Sequence, residues 1–112
     1  MKFHATMSGQ LYFWLSDGTA WARVIGAGSH HNSIHLKEFA RNASNVGIRD
    51  YAVDLAECTE VDSTFMGACA FIALRCHELN GAVRLLNCSA ENVLQFENLG
   101  LDQLFQINPP SS

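Results

Sequence analysis

From Tyr51 onward the chain alternates strand-length apolar runs with helix-length segments that each end at a glycine. No other feature limits the fold as much. Tyr51-Ala52-Val53-Asp54-Leu55 has the length of a short strand. Ser63 to Leu79 holds its apolar residues at helical spacing and stops at Asn80-Gly81, where glycine suits a left-handed C-terminal cap. Val83 to Leu86 is a second short apolar run. A further helix starts at Ser89, runs through Leu99 and ends at Gly100, and Phe105-Gln106-Ile107 forms a last short strand. Strands joined by helices of this length lie parallel, because only a long crossover brings the chain back to start in the same direction.

The first half of the sequence adds an antiparallel pair. Leu11 to Ser16 and Thr19 to Ile25 flank Asp17-Gly18, a strong short hairpin signal because glycine accepts positive φ. The aromatic residues of these runs, Tyr12, Phe13, Trp14 and Trp21, are expected in the sheet core. Gly26-Ala27-Gly28 reads as a turn, since the rest of a dinucleotide-binding fingerprint is missing. Asn32 or Ser33 then caps a helix carrying Leu36, Phe39, Ala40 and Ala43 on one face. The predicted fold class is α/β: a single small mixed β-sheet with crossover helices packed mainly on one face. Residues 1–107 form one domain, and 108–112, with two consecutive prolines, form a flexible C-terminal tail.

Composition narrows the function classes. A chain of 112 residues, 48% apolar and only 16% charged, has material for one real core. A net charge of −4 with scattered Lys and Arg argues against a nucleic-acid partner. No apolar run is long enough to span a membrane, and Met1 to Thr6 has no secretory h-region, so a cytoplasmic location is expected. Cys58, Cys69, Cys76 and Cys88 lack CxxC spacing and read as free thiols of a reducing compartment. His31 and His35 are four apart, but neither they nor His77 find a third ligand, so no metal is expected, nor any cofactor. A catalytic Ser63 would need a general base and oxyanion donors that nothing in the sequence marks, and its neighbour Asp62 is poorly placed for that role. No catalytic residue is assigned.

The stretch Val53-Asp54-Leu55 through Val61-Asp62-Ser63-Thr64-Phe65-Met66-Gly67 resembles the bacterial anti-sigma-factor antagonists of the STAS family. Their pattern is a strand ending in Asp-Leu, a short loop, and Asp-Ser-Ser-Gly-x-Gly opening a helix. The resemblance continues through Leu79-Asn80-Gly81-Ala82-Val83-Arg84-Leu85-Leu86-Asn87 and closes with Leu99-Gly100-Leu101-Asp102-Gln103-Leu104-Phe105, so it covers residues 51 to 107. The chain departs from the pattern at Thr64, a serine in the family, and at Phe65, a glycine there. The family's Gly-x-Leu-Asp corresponds to Gly26-Ala27-Gly28-Ser29, without the acidic residue. The resemblance implies a non-catalytic module that binds an anti-sigma factor, itself usually a serine kinase. It also implies phosphorylation at Ser63 and its reversal by a phosphatase.

Elementary helix chemistry gives the same turn a meaning of its own. A helix N-terminus leaves backbone N–H groups unpaired and carries partial positive charge. Ser63 is expected to cap those donors, with Asp62 adding a favourable charge. At 100° per residue, Phe65, Ala68, Cys69, Ile72, Cys76 and Leu79 share the core face. Ser63, Met66, Gly67, Ala70, Leu74 and His77 lie opposite, mostly apolar or small where a solvated helix would be polar. The expected partner-binding strip is therefore Asp62, Thr64, Met66, Gly67, Ala70 and Leu74, with the phosphoacceptor at its end. The alternative readings are a phosphorylation-independent scaffold, a homodimer through the same strip, and a small-ligand sensor.

Overall fold

The structure, a computed structural model, describes residues 2–5 and 9–109. A short edge strand β1 (Lys2–Ala5), absent from the expected elements, pairs antiparallel with β2 (Gly9–Ser16). The hairpin to β3 (Thr19–Gly28) turns on Asp17 and Gly18, with φ of 51° and 79° as its tight turn requires. Helix α1 (His30–Asn45) leads to β4 (Asp50–Val61), and α2 (Ser63–Glu78) leads to β5 (Ala82–Leu86). Helix α3 (Ala90–Asn98) and a 3-10 turn at Asp102–Leu104 lead to β6 (Gln106–Ile107). The six strands lie in sequence order, antiparallel up to β3 and parallel from β3 to β6.

Three crossovers that all step the same way place the helices on one side of the sheet. The core lies there, between Leu11, Phe13, Val24, Val53, Leu55, Val83 and Leu85 of the strands and Leu36, Phe65, Cys69, Ile72 and Phe96 of the helices. No helix among the described residues covers the other side, and this corrects one expectation. Only Phe13 among the four early aromatics is core; strand alternation turns Tyr12, Trp14 and Trp21 to the open face, where they are half-buried. Trp14 and Trp21 stack there at 5.7 Å, with the Arg23 guanidinium over the first and that of Arg84 over the second.

β4 is longer than its apolar run. Its second half, Ala56 to Glu60, is largely exposed yet extended, because it pairs with Ile25 to Gly28 of β3 across two register shifts. The glycine after α2 is set by close approach. A Cβ on Gly81 would sit 1.9 Å from the Arg49 carbonyl oxygen, while the left-handed residue ending α2 is Asn80, not the glycine. Beyond β6, Asn108 donates to Leu85 O and accepts from Cys88 N. Residues 110–112 of the expected tail lie outside the described residues.

Candidate functional site

The paired ends of β3 and β4 bring the N-termini of α1 and α2 together. Asp62 N donates to Gly28 O at 2.9 Å, tying the end of one strand to the end of the other. Ser29, not Asn32 or Ser33, caps α1: its side chain accepts from His31 N, and Asn32 Oδ1 accepts from Ser29 N. Asn32 is buried inside that cap. Asp62 caps α2 with Oδ1, which accepts from Phe65 N at 2.8 Å, and its Oδ2 accepts from His30 N at 2.8 Å. One carboxylate thus serves two helix N-termini. Nδ1 of His30 lies 3.5 Å from the same Oδ2. Partial burial pushes the Asp62 carboxyl upward, but the hydrogen bonds from Phe65 and His30 outweigh it and hold the group below the ordinary aspartate value.

Ser63 therefore does not cap the helix, contrary to expectation. Asp62 has the extended backbone of a cap (φ −96°, ψ 172°), and Ser63 is already the first helical residue. Its side chain is exposed and makes no hydrogen bond among the described residues. Thr64 and Gly67 are exposed beside it, and a Cβ on Gly67 would meet nothing within 4 Å. Phe65 turns inward, as expected, and its ring lies where a larger residue 28 would go: a Cβ on Gly28 would be 2.9 Å from Cδ1. Residues 28 and 65 therefore pack directly on each other, the glycine leaving the space that the phenylalanine ring fills.

The strip along α2 needs correction. Met66 and Ala70 are buried, at 5% and 8% exposure, whereas Phe71 and Leu74 are 52% and 51% exposed. The cause is a third neighbour: besides the sheet and α1, the helix packs against the 3-10 turn Asp102–Leu104, so burial extends further round it. The exposed strip runs through Ser63, Gly67, Phe71 and Leu74, rotated by roughly 45° from the expected one. Phe71 was missed although its spacing from Gly67 marks it. Leu79 is 41% exposed instead of core, since it already belongs to the helix end.

The remaining candidates stay apart. His31 opens α1 while His77 closes α2, and the two helices run in parallel, so these residues sit at opposite ends. No group of three or more metal-binding side chains occurs among the described residues. All four cysteines are free thiols; burial pushes Cys69 up to about 12 and Cys76 and Cys88 up to about 11. No helix among the described residues is long and apolar enough to cross a membrane.

No protein-family model matches the sequence, and neither does any curated protein. Solved structures do match. An anti-sigma factor antagonist from Mycobacterium paratuberculosis superposes with a TM-score of 0.76 at 16% identity, over 94% of this chain and 89% of its own. The Bacillus cell fate determinant SpoIIAA in its phosphorylated form gives 0.70 at 20% identity, over 89% and 90%. A sulfate transporter family protein from Wolinella succinogenes gives 0.66 at 11% identity, over 87% and 81%, so the fold serves more than one setting. The ordered motifs of residues 51 to 107 and the strand and helix order lead to one place: the chain has the STAS fold of the anti-sigma factor antagonists.

Proposed function

We propose that the chain is an anti-sigma-factor antagonist that works by partner switching, with Ser63 as the phosphorylated residue. Unphosphorylated, it binds an anti-sigma factor with serine kinase activity through Ser63, Thr64, Gly67, Phe71 and Leu74. Phosphorylation ends that binding and a phosphatase restores it. The observation that carries this reading is the division of labour at the turn. Asp62 does the capping, so the Ser63 hydroxyl is exposed and can be modified without removing a structural hydrogen bond.

A phosphoryl group at Ser63 adds roughly −1.5 to −2 charge beside a carboxylate already held in its ionised form. The free backbone donors and dipole of the helix start favour that charge, so the fold tolerates it. A partner lying on Gly67, Phe71 and Leu74 would have to desolvate a hydrated dianion at the end of an apolar contact, which opposes binding. The decisive experiment combines mass spectrometry of the protein from its native cells with calorimetry on the purified kinase partner. Ser63 is expected to carry phosphate, Ser63→Ala to bind constitutively, and Ser63→Asp to bind at least about tenfold more weakly with an unchanged circular dichroism spectrum. Equal affinities for wild type, Ser63→Asp and phosphorylated protein would reject the switch and leave a constitutive scaffold.

A further inference from the structure

Helices α1 and α2 start together but part over their second halves, and a cleft of about 360 Å³ opens between them. Its apolar floor comes from Ile48, Phe71, Ile72 and Leu79, and Lys37, Arg41 and Arg75 stand around it. No carboxylate lines it, although acids outnumber bases in the chain by 11 to 7. Three of the seven Lys and Arg residues therefore converge on one apolar cleft of an acidic protein. Their charges are little engaged. Lys37 Nζ lies 5.5 Å over the Phe71 ring, and the one carboxylate near Arg75 among the described residues is the exposed Glu78, at 3.9 Å. Arg41 pairs with no carboxylate among the described residues. The deep polar groups are satisfied, since the Tyr51 hydroxyl donates to Ala40 O.

We propose that this cleft binds a small amphiphilic organic anion, a carboxylate carried on an apolar chain or ring. The cations select the charge and the floor selects the body. The volume, near the lower end for small-molecule sites, limits that body to roughly a dozen non-hydrogen atoms. The inference goes beyond the switch at Ser63 and does not depend on it, because the test needs no partner protein.

Decanoate is the probe and 1-decanol, with the same chain and no charge, its control, each titrated into the full chain and followed by amide NMR shifts. Decanoate is expected to saturate below about 1 mM, shifting Ala40, Ile48 and Phe71, with 1-decanol at least about tenfold weaker. The doubly substituted Lys37→Ala, Arg41→Ala protein changes two exposed residues and should fold normally. It is expected to lose about tenfold affinity for decanoate and none for 1-decanol. Absence of saturation, equal binding of acid and alcohol, indifference to the double substitution, or shifts confined to Tyr12 and Trp14 on the open sheet face would each overturn the assignment.

Discussion

Removing the Asp62 carboxylate should loosen two helices at once. Asp62→Ala deletes the acceptor for Phe65 N at the start of α2 and the acceptor for His30 N at the start of α1. Loss of an N-cap alone costs about 1 kcal/mol. The second bond also has a charged acceptor, but the Asp62 side chain is 40% exposed, so water replaces part of it and about 1 kcal/mol more is a fair magnitude. A total of about 2 kcal/mol lowers the melting temperature by roughly 8 °C in a domain of this size. Asp62→Asn should cost about half as much, because its single amide oxygen can serve one N–H and its NH₂ cannot accept from the other. The carboxyl is held below its unfolded value, so its contribution is full above the unfolded pKa and disappears as pH falls through the lower folded value. Thermal denaturation followed by circular dichroism at pH 7 and in acid below about pH 3 tests both parts. The reasoning fails if Asp62→Ala melts within about 2 °C of wild type at pH 7, or if the gap between them is as wide in acid as at neutrality.

Two further pairs of substitutions test the rotation of α2 and the packing at its base. Leu74→Glu should change stability by no more than about 0.5 kcal/mol while weakening binding of the proposed partner by about tenfold, whereas Met66→Glu, buried, should cost several kcal/mol. Similar melting temperatures for the two variants would mean that the helix has been oriented wrongly. Gly28→Leu should cost about 1–3 kcal/mol by overpacking the Phe65 ring, and Phe65→Gly about 3–5 kcal/mol through the cavity left behind. The double variant should recover part of both losses, and strict additivity in chemical denaturation would show that the two positions are independent.

Elements whose signals are local were readable from the residues themselves. Asp17-Gly18 needs positive φ at both positions, Ser89 caps its own Asn92, and the α2 boundaries follow from apolar spacing and the Asn80-Gly81 stop. What could not be read depends on distant chain. The polar half of β4 is extended only because β3 lies beside it, and nothing local favours a strand at Glu57 or Glu60. Asp62 and Ser63 are both good capping residues; the hydrogen bond from Asp62 N to Gly28 O, 34 residues earlier, decides which one takes the cap geometry. The misplacement of Met66 and Ala70 has the same origin. Helical spacing fixes which residues share a face, but how wide the buried arc becomes depends on a 3-10 turn some 30 residues later.

The spatial order of the strands repeats their order of synthesis, and that has a consequence for how the protein reaches its fold. Each strand from β2 onward adds to an edge that the preceding strand has already laid down, so no strand must insert between two earlier ones. A growing chain on the ribosome can therefore extend the sheet in register one strand at a time. From β3 to β5 the growing edge is the newest strand, and each of these strands is followed after one to three residues by a helix that packs on the core side of the sheet. Emergence of α1 and then β4 should thus leave a docked partial sheet, with the two residues of β6 closing the last edge as a short cap of its backbone.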